Sequence, residues 1–231
     1  MMKIWIKRFF DILFPRICIN CGKVLSISED AFCVGCMLGI SRTHFHLNPL
    51  ENDMVKRFYS LLPIEKATAW MFYSPEAYHS RFIHHLKYNN RPDIAETAGR
   101  IMAAEIKESG LFDGIDLLVP VPLTPKRKRH RGYNQSEYIA KGINSITSIP
   151  LNNKVLRRKH FQKSQTHLNY FERQENVRNA FELIDAEAIR GKHVMLVDDI
   201  VTHGTTATEC GRELMKAGDV KISVISLGFT K

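Results

Sequence analysis

His193-Val-Met-Leu-Val-Asp-Asp-Ile-Val-Thr-His-Gly-Thr-Thr206 is the stretch on which the reading of this chain turns. Four apolar residues, Val194 to Val197, run straight into two acids, Asp198 and Asp199. A polar stretch follows, Thr202-His203-Gly204-Thr205-Thr206, and then a helical pattern from Ala207 to Ala217. A short apolar run bounded by turn residues reads as a buried strand. A strand ending in a carboxylate pair, then a Gly/Thr loop opening a helix, suits a ribose phosphate. First-turn amides have no intrahelical partner, and the helix dipole favours an anion beside them. Gly204 lets the backbone approach a ligand closely, and three threonine hydroxyls add donors. Two adjacent carboxylates can accept hydrogen bonds from vicinal hydroxyls or help hold Mg²⁺. The plain alternative is a strand–turn–helix whose acids only cap the turn.

Outward from this stretch, the chain alternates strands and helices. Residues 66–74 read as a strand ended by Pro75, and Glu76 to Tyr88 as a helix with Phe82, Ile83 and Leu86 on its apolar face. A second helix is expected over Asp93 to Glu108, and a buried strand over Asp116 to Leu123 that runs into a proline-pinned loop. Asn134 to Ile143 and Phe171 to Phe181 read as helices, Lys154 to Leu156 as a short strand, and 220–228 as the last strand. This alternation predicts an α/β fold with a doubly wound parallel sheet, its ligands beyond the carboxyl ends of the strands.

Four of the five cysteines form Cys18-Ile-Asn-Cys21 and Cys33-Val-Gly-Cys36. Paired CxxC knuckles can place four thiolates around Zn²⁺. All four positions are cysteine, which leaves no open site for water and predicts a structural metal. A disulfide pair is the alternative, and the lack of a secretory pattern weighs against it. Cys210 stands alone on the helix after the Gly/Thr loop and reads as a small buried hydrophobe. The expected division is 1–50 for an N-terminal helix and zinc-ribbon-like module, and 60–231 for the sheet domain, with Gly39 to Leu62 between.

Charged residues interrupt Met1–Phe14, which reads as a short amphipathic helix stopped by Pro15 rather than a signal peptide. No apolar run reaches the roughly 18–20 residues that a membrane-spanning helix needs. A cytoplasmic protein is expected. The net charge is +9, and its placement is uneven. Between Leu117 and Tyr170 there are eleven Lys/Arg against Glu137 alone, a balance of +10, so the remainder carries −1. The excess sits in Lys126–Arg131 and Lys154–Lys163. Such runs are usually solvated faces, but beside an anion loop they also suit a polyanion: pyrophosphate, nucleic acid or both. No Gly-x₄-Gly-Lys-Ser/Thr and no Gly-x-Gly-x-x-Gly is present, which argues against NTP hydrolysis and a dinucleotide cofactor.

The Asp-Asp and Gly/Thr stretch resembles the PRPP-binding signature of type I phosphoribosyltransferases. Three further segments resemble the ComF/GntX branch of that family. They are Val119-Pro-Val-Pro-Leu123 with Arg131-Gly-Tyr-Asn-Gln135; Arg158 with Gln165-Thr166-His-Leu168, Arg173 and Asn176; and Tyr73 through Leu86-Lys87-Tyr88. With the cysteine knuckles, the likeness covers nearly the whole chain. His203 departs from the small residue or arginine usual at its position, a mild change where a backbone amide does the binding.

The resemblance implies a Mg²⁺·PRPP-binding phosphoribosyltransferase of unknown nitrogen acceptor, most simply a nucleobase. Asp198 and Asp199 would hold the ribose hydroxyls, and Thr202, His203, Gly204, Thr205 and Thr206 the 5′-phosphate. Val121, Pro122, Arg131, Arg158, Gln165, Thr166 and Arg173 would meet pyrophosphate, with Arg157 to Asn179 resembling a loop that closes over the substrate and excludes water. ComF-like proteins are associated with DNA uptake in natural competence, which implies competence-machinery proteins and single-stranded DNA as partners. The rival reading is a nucleic-acid-binding or scaffold protein that keeps the fold, its +10 segment facing DNA or RNA. Tyr133, Phe161 and Tyr170 lie in or beside the basic segments and can stack on bases, though such residues more often pack.

Overall fold

The computed structural model of the chain describes residues 15–88, 90–159 and 180–231. The expected N-terminal helix and Gln165, Thr166 and Arg173 therefore lie outside the described residues. In chain order the elements are α1 (Val34–Gly39), α2 (Asp53–Lys56), β1 (Ala67–Phe72), α3 (Arg81–Tyr88), α4 (Pro92–Ile106), β2 (Leu117–Pro120), α5 (Pro125–Arg131), α6 (Gln135–Thr147), β3 (Leu156–Arg158), β4 (Phe181–Leu183), β5 (His193–Val201), α7 (Thr205–Met215) and β6 (Lys221–Phe229).

Four strands form a parallel sheet in the order β1-β6-β5-β2. Both faces are covered, which is why β2, β5 and β6 read as near-continuous apolar runs. Alternate residues serve opposite cores. Leu118, Met195, Val197, Ile225 and Leu227 face α3, α4 and α6. Leu117, Val119, Val194, Leu196 and Val224 face α7. Helix α6, which follows β2, thus covers one face, and α7, leaving its neighbour β5, covers the other. A crevice opens between the carboxyl ends of such neighbours, where their outgoing chains diverge. Helices α4 and α6 approach so closely that a methyl on Gly142 would strike the Glu96 carbonyl, and one on Gly99 the Ile139 carbonyl.

The cysteine segment shares the α3/α4/α6 core rather than standing off from it. Phe32 packs edge-on against Trp70 and Phe82, with ring centroids 6.1 and 5.1 Å away. The start of the connection from Gly39 to Leu62 runs along β1. Phe72 N–H donates to the Ser41 carbonyl at 2.8 Å, and Thr43 N–H to that of Trp70 at 3.3 Å.

Three local expectations need correction. The basic run after β2 is a helix, α5, not a loop: Thr124 Oγ1 caps the Arg127 amide, Pro125 opens the first turn, and Gly132 closes the last in the left-handed region. The short strand lies at Leu156–Arg158 and pairs antiparallel with β4, outside the main sheet. Phe181 belongs to β4, not to the end of a helix; residues 171–179 of that expected helix are outside the described residues. Phe181 pairs with Arg158 and buries its ring under α7, so a tertiary contact overrides the helical pattern.

Candidate functional site

The four cysteines meet. Their sulfur atoms all lie within 4.8 Å of one another. Cys21 Sγ and Cys33 Sγ are 3.7 Å apart, close to the edge of about 3.8 Å that four 2.3 Å Zn–S bonds give a tetrahedron. Each knuckle turns backbone donors toward sulfur: Cys33 N–H points to Cys18 Sγ at 3.3 Å and Cys36 N–H to Cys33 Sγ at 3.5 Å. Burial opposes charge on Cys18, yet amides of Cys33, Cys21 and Asn20 outweigh it and bring the thiol down to about 7. Burial and the other three sulfurs push Cys36 up. Four thiols in so small a volume cannot all ionise without a cation, so the donor set fits one metal ion. His44 and His46 are not part of the cluster.

The acids lie at the carboxyl end of β5, beside the end of β2. Asp198 is buried, and its Oδ1 accepts from Ser136 Oγ at 3.2 Å and from the Asp199 amide at 2.8 Å. Burial, then the Asp199 charge, raises the Asp198 carboxyl from 3.8 to about 7 against those hydrogen bonds and Lys87. Asp199 Oδ1 accepts from the Ile200 amide at 2.7 Å, and Lys87 Nζ lies 3.4 Å from its Oδ2. Two adjacent acids held this way can accept hydrogen bonds from hydroxyls or contribute oxygens to a hard cation.

Beyond Val201 the chain turns at Thr202, His203 and Gly204 into α7. Thr202, His203 and Thr205 are exposed and Thr206 half-buried. Gly204 caps α7 at φ 74°, and a Cβ there would come within 3.1 Å of the Phe58 ring. No side chain caps this helix. Its first amides therefore carry the unsatisfied positive end of the dipole.

At the end of β2, Val121 is buried and its N–H is spent on the Val197 carbonyl at 2.9 Å. Pro120 and Pro122 have no N–H, and no residue from 120 to 131 adopts a positive φ. The backbone at Val121 and Pro122, which the resemblance implies would meet pyrophosphate, thus has no free N–H to offer it. Pro120, Pro122 and Leu123 instead line a cleft of about 280 Å³ with Lys128, Asn134, Glu137 and Lys154. Arg158 sits half-buried over the Phe181 ring at 5.0 Å. Burial and then Arg127 lower its pKa, while Cys210 and Asp198 oppose this. A larger hollow of about 610 Å³ lies between the first knuckle and α3, lined by Arg81, His84, His85 and Arg91.

Segment 131–136 joins these parts. Arg131 donates to Gln135 Oε1 at 3.0 Å. Tyr133 Oη donates to the Leu86 carbonyl at 2.7 Å and lies 3.1 Å from that of Arg91, while Asn134 Nδ2 donates to the Val121 carbonyl and Gln135 Nε2 to that of Leu86. Ser136 reaches Asp198. Gly132 packs on the Asn90 side chain at φ 80°, a backbone conformation that any other residue would strain to adopt. Ser136 and Lys87 carry no motif that assigns them to the acids. Only the paired neighbourhood of α3 and α6 brings them there.

No family model matches the chain. It is 28% identical over 211 residues to the DNA utilization protein YhgH of Escherichia coli K12, across 90% of this chain and 88% of that one. It is 27% identical over 221 residues to Competence protein F of Haemophilus influenzae, across 91% and 95%. Among solved structures, the allosteric regulatory enzyme of purine biosynthesis aligns at a TM-score of 0.42 and 22% identity, over 62% of this chain and 30% of that one. The chain thus spans less than a third of that enzyme. The likeness to proteins named for DNA utilization and for competence, by contrast, runs over nine-tenths of the chain and makes it their homologue.

Proposed function

We propose that the chain is a ComF-type phosphoribosyltransferase that binds Mg²⁺·PRPP in the crevice between β2 and β5 and transfers the phosphoribosyl group to a nitrogen acceptor. The observation that carries this reading is the acid pair at the end of β5, directly followed by the uncapped start of α7. Asp198 and Asp199 hold the ribose hydroxyls and stabilise positive charge developing at C1. Thr202 to Thr206 hold the 5′-phosphate. Arg131, Arg158 and Arg173 supply positive charge near the departing pyrophosphate, and Gln165 and Thr166 add neutral hydrogen-bond donors. Mg²⁺, held in part by the acids, would neutralise the phosphates. Cys18, Cys21, Cys33 and Cys36 hold a structural Zn²⁺. Residues 60–231 form the catalytic unit, and the site of action is the cytoplasm. The test is a screen of nucleobases with Mg²⁺·PRPP, reading pyrophosphate release. One base should release it above the rate of PRPP alone; no release with any base removes the enzyme reading.

A second surface supports single-stranded nucleic acid as a partner, in keeping with the names of the relatives. Lys126 to His130 are exposed along α5, and Lys128 shares a cleft with exposed Lys154. Eleven basic residues exceed what one pyrophosphate can contact. Binding of single-stranded DNA should weaken steeply with salt. Neutralising Lys126, Arg127 and Lys128 together should reduce the log–log salt slope by roughly 2 and spare Mg²⁺·PRPP. No detectable DNA binding at low salt would discard this surface and leave the enzyme reading standing.

A further inference from the structure

The fold delivers Lys87 to the acids through a pinned helix end. The last carbonyls of a helix ordinarily go to water. Here Leu86 O accepts from two buried side chains, Tyr133 Oη at 2.7 Å and Gln135 Nε2 at 2.9 Å. Both donors come from the segment whose Ser136 holds Asp198. The backbone is therefore fixed one residue before Lys87, relative to the same acids that Lys87 approaches. Both Asp199 oxygens are engaged, Oδ1 by the Ile200 amide and Oδ2 by Lys87. An exposed pair of this length contributes little, because two mobile side chains must be ordered and water screens them. This pair is mostly buried, with side chains 22% and 16% exposed.

We infer that Lys87 is the positioning residue of the acid pair, fixing the Asp199 carboxylate in the orientation that receives the hydroxyls of a ribose phosphate. The inference rests on the reading of Asp198 and Asp199 as ribose-binding acids. A lysine that merely neutralises a buried acid changes the melting temperature when it is removed and leaves both ligand affinities as they were. A lysine that touches pyrophosphate affects only ligands that carry one.

Calorimetry on the full chain with two probes, Mg²⁺·PRPP and ribose 5-phosphate, separates these roles. Lys87→Met should weaken both by the same factor, roughly tenfold or more, the size of a lost hydrogen bond to a charged group. Lys87→Arg should recover most of the affinity for both. Unchanged affinities in Lys87→Met overturn the inference, and so does a loss confined to PRPP, which makes Lys87 a pyrophosphate contact. If Lys87→Met does not fold, as read by thermal melting, Lys87→Gln takes its place under the same criteria. Failure of the unaltered protein to bind either probe overturns the ribose-phosphate reading itself, and this inference with it. Binding by the unaltered protein that the substitutions leave intact overturns this inference alone.

Discussion

Replacing both acids, Asp198→Asn/Asp199→Asn, should weaken Mg²⁺·PRPP binding by about 100-fold or more while the chain stays folded. Each carboxylate oxygen can accept from a ribose hydroxyl, and an amide halves that capacity and removes the charge that attracts the metal. Calorimetry is the measurement, and unchanged affinity would remove the central claim. The ligand-free protein should respond in the opposite sense. Burial, then Asp199, raises the Asp198 carboxyl from 3.8 to about 7. Between those values the unfolded chain has lost this proton and the native chain still holds it, so native stability falls as pH rises through the window and levels off above it. Asparagine has no proton to lose. Asp198→Asn should therefore melt at a higher temperature than the unaltered chain at neutral pH, with the gap closing toward acid pH. A gap that widens toward acid pH would contradict this account of Asp198.

The second large effect belongs to the cysteines. Fresh reduced protein should contain one zinc per chain, and Cys18→Ser should contain none. The loss should not stay local, because Cys18, Cys33 and Cys36 lie in one core with Trp70, Phe82 and Leu86. Loss of a metal ranks among the severe single-residue lesions, roughly 3 kcal/mol or more. At about 2–4 °C per kcal/mol for a chain of this size, the melting temperature should fall by ~10 °C. Elemental analysis finding no zinc, with both cysteine pairs oxidised, would refute the metal reading.

The strand–acid–loop–helix unit from His193 to Met215 was legible because each signal in it is local: an unbroken apolar run, two acids, a glycine, then helical spacing. The cysteine cluster was legible for the same reason, since knuckle spacing alone brings each pair together. Lys87 was not, because its place depends on the end of α3 meeting the start of α6 on one face of the sheet, where Tyr133 and Gln135 bond the Leu86 carbonyl. Val121 misled in the other direction. The flanking prolines suggested a pinned loop, but Val121 extends the pairing of β2 with β5 and its amide is used up. The α5 helix shows a different limit. Its six basic residues outshone Thr124, Pro125 and Gly132, the three residues that set its ends.

Asn20 sits inside the first knuckle, and its side chain faces two ways. Oδ1 accepts from the Phe82 amide at 3.1 Å, while Nδ2 donates to the Tyr78 carbonyl at 3.0 Å and points at Cys36 Sγ at 3.5 Å. It therefore caps the start of the helix whose far end carries Lys87. A metal that orders the knuckle also orders this cap, and a ligand that uses the acids draws on the other end of the same helix. If ordering the cap tightens the hold on the ligand, thermodynamic reciprocity requires the ligand to tighten the hold on the metal by the same factor. Metal supply would then set substrate affinity at a site that holds none of the metal's ligands.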